Sequence, residues 1–220
     1  MLSYKKLLHR IVFIYMKHHQ VSKEYVVRMK VVAFNCSPRE NGNTSHMIKD
    51  VLKVLNSEGI ETEFVQVGGK DIAGCRACGG CAKKKNMKCV IDYDIVNDCV
   101  EKMVEADAII IGSPTYFADV TAETKALIDR AGYVIRMNGI PVKRKLGAAV
   151  IAVRRAGSTH AFDTINHFFL INEMIIVGSS YWNMSLAWKE GSYEEDKEGV
   201  RTMKDLGDNM AWLLKKINGE

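Results

Sequence analysis

Four cysteines stand close together in the middle of the chain: Cys75-Arg76-Ala77-Cys78-Gly79-Gly80-Cys81, then Cys89 after a seven-residue spacer. Two-residue spacers let three thiolates converge, and Gly74, Gly79 and Gly80 allow the backbone to fold tightly around them. A fourth thiolate from the same loop completes the four-cysteine set that a [4Fe–4S] cluster requires. The spacing therefore predicts that Cys75, Cys78, Cys81 and Cys89 are metal ligands. Zinc fits less well, because it is usually held by two separated ligand pairs. A disulfide framework is disfavoured in a reducing compartment. A degenerate loop that no longer holds a cluster stays open as the alternative. Cys36 and Cys99 lie outside the motif and read as small buried packing residues.

A second set of groups suits an anion. Asn35-Cys36-Ser37-Pro38-Arg39-Glu40-Asn41-Gly42-Asn43-Thr44-Ser45 follows an apolar run and leads straight into a helical pattern. Hydroxyls, side-chain amides and free backbone N–H groups at a helix start attract phosphate, helped by the helix dipole. No lysine follows Gly42 in the manner of a nucleoside triphosphate loop. The plain alternative is a polar turn with Thr44 as the helix N-cap. A second loop, Gly112-Ser113-Pro114-Thr115-Tyr116-Phe117, offers two aromatic side chains to a planar ring. A phosphate cradle and an aromatic wall on neighbouring loops suit a flavin mononucleotide, FMN. A third loop, Arg154-Arg155-Ala156-Gly157-Ser158, either contacts the flavin pyrimidine edge or is a solvated turn. No general acid or base stands out, and His46, His160 and His167 have no ligand spacing. Trp182 and Trp188 read as core or oligomer contacts rather than flavin partners.

These loops need elements to hold them. Val31–Phe34, Ala108–Ile111, Ala148–Val153 and Met174–Val177 are continuous apolar runs, the pattern of strands covered on both faces. Glu61–Val67 alternates, as an edge strand does. Helical patterns fill Thr44–Asn56, Asp94–Glu105, Thr121–Arg136, Phe162–Asn172 and a closing segment marked by Val200, Met203, Leu206, Met210, Leu213, Leu214 and Ile217. Five rounds of strand and helix predict an α/β fold: a flavodoxin-like, doubly wound, five-stranded parallel sheet in the order 2-1-3-4-5. The cysteine loop, residues 74–90, is inserted after the second strand.

Composition bounds the rest. The chain has 220 residues and a formal charge of +5. Residues 1–30 carry Lys5, Lys6, Arg10, Lys17, Lys23, Arg28 and Lys30 against Glu24 alone, a net of +6, which leaves −1 for the remainder. A nearly neutral body argues against nucleic acid as a partner. Residues 1–29 read as a basic N-terminal extension to a domain spanning 30–220. It is either an upstream start before a native Met29 or a packing arm, in preference to a membrane anchor. The apolar stretch Ile11–Met16 is far short of the ~20 residues of a membrane span. The expected location is the cytoplasm.

At these residues the chain resembles the NADPH-dependent FMN reductase branch of the flavodoxin-like superfamily. The matching segments are Ser37–Thr44, Gly112–Tyr116 and the tail Glu195–Gly207. That resemblance implies FMN with its phosphate on Ser37, Arg39, Asn41, Asn43, Thr44 and Ser45. It places the isoalloxazine against Pro114, Thr115, Tyr116 and Phe117; Arg155 and Gly157 are cofactor-binding candidates from the third loop's own residues. The compact cysteine loop in such a domain is similar to the iron–sulfur flavoproteins of anaerobic archaea and bacteria. This likeness implies an oxidoreductase relaying electrons between a ferredoxin-like donor and a small two-electron acceptor, as a homodimer or homotetramer. The basic spacer (Lys83, Lys84, Lys85, Lys88) either steers an acidic ferredoxin or is simply solvated. The rival expectations are an NAD(P)H-dependent FMN or quinone reductase with an empty or structural cysteine loop, and a non-enzymatic carrier or sensor.

Overall fold

The computed structural model describes residues 28–219. The expected N-terminal extension therefore lies outside the described residues, apart from Arg28 and Met29. Met29 is buried, and its carbonyl accepts the Glu61 N–H at 2.9 Å.

The strands are β1 (Lys30–Asn35), β2 (Glu61–Gln66), β3 (Ala108–Pro114), β4 (Leu146–Val153), β5 (Ile175–Ile176) and β6 (Met184–Leu186). They form one parallel sheet in the order β2-β1-β3-β4-β5, with β6 also paired to β4. The helices are α1 (Asn43–Ser57), α2 (Gly80–Lys84), α3 (Val96–Glu105), α4 (Ala122–Met137), α5 (Ser158–Ile171) and α6 (Lys197–Asn218). A 3-10 turn at Ser192–Glu195 precedes α6.

Strand alternation divides the core in two. Val32, Phe34, Ile109, Ile111, Ala149 and Ile151 face a layer built from α3, α4 and α5. Val31, Ala33, Ala108, Ile110, Ala148 and Val150 face α1 and α6. Both faces of β1, β3 and β4 are thus covered, which is why those strands read as unbroken apolar runs. The edge strand β2 is only half-buried along most of its length, as its alternation predicts. Close packing of α1 on α6 depends on Gly207, where a Cβ would stand 2.7 Å from Val54 Cβ.

Two boundaries differ from the sequence expectation. The single fifth strand is two short pieces: β5 pairs with Leu146 and Gly147, and β6 with Ile151, Ala152 and Val153. Between them the chain leaves the ladder in a loop tied by Asn183, whose Oδ1 accepts the Ser179 hydroxyl at 2.6 Å. Met-Ser-Leu is too short and too mixed to announce itself as a strand. Helix α5 begins at Ser158, four residues before the apolar pattern shows, because Gly157 reverses the chain there at φ 87°.

All the loops that leave the carboxyl ends of β1, β2, β3 and β4 lie along one edge of the sheet, where doubly wound folds bind ligands. Among the described residues no helix is long and apolar enough to cross a membrane.

Candidate functional site: a polar cleft and a cysteine hollow on one sheet edge

A cleft of about 220 Å3 opens between the loops after β1, β3 and β4. Its floor is the start of α1. Gly42 precedes that helix in extended conformation, and no side chain caps it. The first N–H groups of a helix have no intrahelical acceptor, so this uncapped end presents free donors to the cleft. The walls are Ser37 and Arg39 on one side, Pro114, Thr115 and Tyr116 on another, and Ala152, Arg154, Ala187 and Trp188 on the third. The Arg154 guanidinium lies 3.9 Å from the Trp188 ring centroid, a cation–π stack at the rim. The buried Thr115 hydroxyl has no partner among the described residues. An orphaned buried hydroxyl costs about 1–3 kcal/mol, which a polar ligand group would offset. Free helix-start donors, arginines, an aromatic plate and an unspent hydroxyl fit an aromatic phosphate such as FMN.

Asn43 holds the third wall in place. Its amide donates to the Lys189 carbonyl at 2.8 Å and accepts the Tyr193 N–H at 3.2 Å. Tyr193 is buried, and its hydroxyl donates to Asp50 at 2.7 Å. Burial first, and the Asp50 carboxylate second, push that phenol above its ordinary value. Asp196 secures the same segment from the other side. It accepts from the Ser185 hydroxyl at 2.8 Å, the Leu186 N–H at 2.9 Å and the Gly199 N–H at 3.0 Å, so it caps α6 and ties down β6 at once.

The cysteine loop occupies the turn between β2 and α3. Cys75, Cys78, Cys81 and Cys89 all line one small hollow, closed by Val90, Ile91, Arg130, Tyr133 and Val134. Ala77, Gly79, Lys85 and Met87 take positive φ, the tight reversals that fold the loop over it. Among the described residues no group of three metal-binding side chains stands close enough to hold a single ion. Four thiols around one hollow are the donor set that an iron–sulfur cluster takes. Burial pushes the Cys81 thiol up from its ordinary value. Cys36 and Cys99 are buried in the core, as expected, and burial pushes both to about 12.

A family model for NADPH-dependent FMN reductases matches residues 29–189. The chain belongs to that family. It is accordingly an oxidoreductase with a flavodoxin-like fold. An iron–sulfur flavoprotein of Methanocaldococcus jannaschii is 37% identical over 86% of this chain and 99% of its own length. One from Methanosarcina thermophila is 32% identical over 86% of this chain and 97% of its own length. Among solved structures, a flavone reductase superposes with a TM-score of 0.65 at 19% identity, covering 87% of this chain and 65% of its own. An archaeal flavodoxin gives a TM-score of 0.56 at 16% identity, covering 85% of this chain and 99% of its own. These two likenesses concern the fold alone.

Within this FMN reductase family member, the residues expected from sequence divide clearly. Ser37, Arg39, Asn43, Thr44, Pro114, Thr115 and Tyr116 line the cleft. Asn41, Ser45, Phe117, Arg155 and Gly157 do not. Asn41 is exposed and accepts from Lys49 at 3.4 Å. Ser45 is buried, one residue past the lining, and its hydroxyl has no partner among the described residues. Paired bonds between Tyr116 and Asp119 (2.8 and 3.0 Å) place Phe117 at the tip of a tight turn, fully exposed at φ 46°. Gly157 packs beneath that turn, where a Cβ would stand 2.6 Å from Ala118 Cα. Arg154, not Arg155, reaches the cleft, and its plate is Trp188, a residue read from sequence as a core or oligomer contact. Nothing local in the sequence joins Arg154 to Trp188. They meet because β6 runs beside the end of β4.

Proposed function

We propose that this chain is an iron–sulfur flavoprotein, with FMN in the cleft and a [4Fe–4S] cluster on Cys75, Cys78, Cys81 and Cys89. It would relay electrons between a ferredoxin-like one-electron carrier and a small two-electron acceptor. The observation that carries this reading is the pairing on one sheet edge of an uncapped helix start in an aromatic-walled cleft with a hollow lined by four cysteines. The names of its relatives add support.

FMN exchanges one or two electrons and the cluster one at a time, so together they join a one-electron carrier to a two-electron acceptor. The protein's part is to bind and orient. The N–H groups at the start of α1, with Arg39 and the Ser37 and Thr44 hydroxyls, hold the phosphate. Pro114, Thr115 and Tyr116 back one side of the ring system. The Arg154–Trp188 stack would cover the rim and bring positive charge to the cleft, favouring a bound group that gains negative charge. The exposed Tyr116 and Trp188 on the cleft walls, with the exposed Phe117 beside Tyr116, support a homodimer or homotetramer in which a second copy covers the cleft.

The test is anaerobic purification with FMN, iron and sulfide measured per chain. About one FMN with about four iron and four sulfide is expected. Cys78→Ser should lose iron and keep FMN. FMN without iron, even after reconstitution, would leave an NAD(P)H-dependent flavin reductase with a structural cysteine loop.

A further inference from the structure

Arg130 heads the fully buried side chains by volume among the described residues, at 1% exposure. A charge so placed costs several kcal/mol unless it is paired and hydrogen-bonded. The partners are specific. Nη1 donates to the Asp94 carboxylate and to the Ala73 carbonyl at 3.1 Å, and Nη2 donates to the Ile91 carbonyl at 2.7 Å. Ala73 lies just before Cys75 and Ile91 just after Cys89, so one guanidinium ties both ends of the cysteine loop to α4. Asp94 completes the clasp by accepting the Ala73 N–H at 3.1 Å and the Val96 N–H at 3.2 Å. Burial alone would raise that carboxyl, but Arg130 and the backbone donors outweigh it and hold it below the usual range.

The clasp leaves one donor over. Arg130 Nε is buried and has no partner among the described residues. The same residue lines the hollow formed by the four cysteines, and its guanidinium stands beside the Cys89 side chain. Closing a loop needs only the two terminal nitrogens. A spare, desolvated, charged donor at a hollow of thiols has a use only where sulfur carries negative charge. Hydrogen bonds to the sulfurs of an iron–sulfur centre favour its reduced, more negative form.

We propose that Arg130 is a positioning residue for the cluster: it clasps both ends of the cysteine loop and donates Nε–H to the Cys89 sulfur, raising the cluster's reduction potential. The inference rests on the four-cysteine reading above. Arg76, the other arginine lining the hollow, is exposed, and its Nη2 donates to the Tyr93 hydroxyl at 3.2 Å, so it serves as the control.

The experiment is a dithionite titration of the full chain, followed by the EPR signal of the reduced cluster, with FMN and iron content measured alongside. Arg130→Gln combined with Asp94→Asn removes the donor without stranding a buried carboxylate. Its cluster should be harder to reduce by at least tenfold in the reduced-to-oxidised ratio, which is 59 mV for a one-electron couple. Arg76→Lys should leave the potential in place. Pulsed EPR on the Arg76→Lys protein grown with 15N-arginine should show a 15N coupling to the reduced cluster, and this reads the contact without touching Arg130. A retained cluster with an unshifted potential overturns the proposal. So does an absent 15N coupling, including where the double variant loses its iron. A parent protein that binds FMN but no iron defeats the four-cysteine reading itself, a result distinguishable from either of these.

Discussion

At the scale of single residues, the cleft separates side chains that hold structure from those free to hold a ligand. Asn43 belongs to the first kind, since both ends of its amide are spent on the Lys189–Tyr193 segment. Removing it would loosen a wall as well as any phosphate contact, so a loss of FMN affinity in Asn43→Ala would not locate the phosphate. Arg154 belongs to the second kind. It is exposed, stacks on Trp188 and makes no ion pair among the described residues. Arg154→Ala should therefore leave the fold intact and weaken FMN binding about tenfold, or about 1.4 kcal/mol, while Arg155→Ala should change affinity little. Fluorescence titration of the apoprotein with FMN checks both. Equal effects from the two arginines would show that only general positive charge matters.

At the scale of elements, the legible part was what local pattern encodes. The buried runs of β1, β3 and β4, the half-polar β2 and the amphipathic α1 and α6 each carry their burial in their own periodicity. The gathering of Cys75, Cys78, Cys81 and Cys89 around one hollow was legible for the same reason, since they stand close together in the sequence. The third wall of the cleft was not. Ala187 and Trp188 reach it only because β6 pairs with β4, a long-range contact of a three-residue strand with no pattern of its own. The clasp by Arg130 was likewise invisible, since α4 lies far along the chain from the loop it closes. Asp196 is where these long-range parts depend on one side chain. As the N-cap of α6 it is worth about 1 kcal/mol, and it also anchors β6 through Ser185 and Leu186. Burial alone would raise its carboxyl, but the Gly199, Ser185 and Leu186 donors win and hold it below its ordinary value. A carboxylate lowered in the folded state adds stability above its unfolded pKa, about 3.9. That stability is lost as pH falls through the folded value. Asp196→Ala should lower stability by about 1 kcal/mol at neutral pH. Asp196→Asn keeps a cap but not the charge, so its gap from the parent protein should close as pH falls below about 4. Thermal unfolding from pH 3 to 7 reads this, and a gap independent of pH would remove the carboxylate from the argument.

At the scale of the whole molecule, charge placement decides how a redox partner could be recruited. Residues 1–30 carry a net +6 and residues 31–220 sum to −1, so the chain beyond residue 30 has no strong net field to attract an acidic protein. What it has is a local patch. Lys83, Lys84, Lys85 and Lys88 are all exposed, on and just after α2, within the loop that carries the four cysteines. Like charges crowded on so short a segment repel one another, and among the described residues none of the four makes an ion pair. A solvated loop with no further role would be indifferent to their removal. An acidic one-electron carrier docking over the cysteine hollow would not. Replacing all four lysines with glutamine should slow the second-order reduction of the protein by an acidic ferredoxin by about tenfold at low ionic strength. The remaining rate should also depend less on salt, because steering between exposed charges is screened beyond about 10 Å at 0.1 M. Stopped-flow measurement across ionic strengths, with reduction by dithionite as the control for an intact internal path, gives the answer. An unchanged rate with an unchanged salt dependence would mean that the carrier approaches from another face and that the lysines merely keep the loop in water.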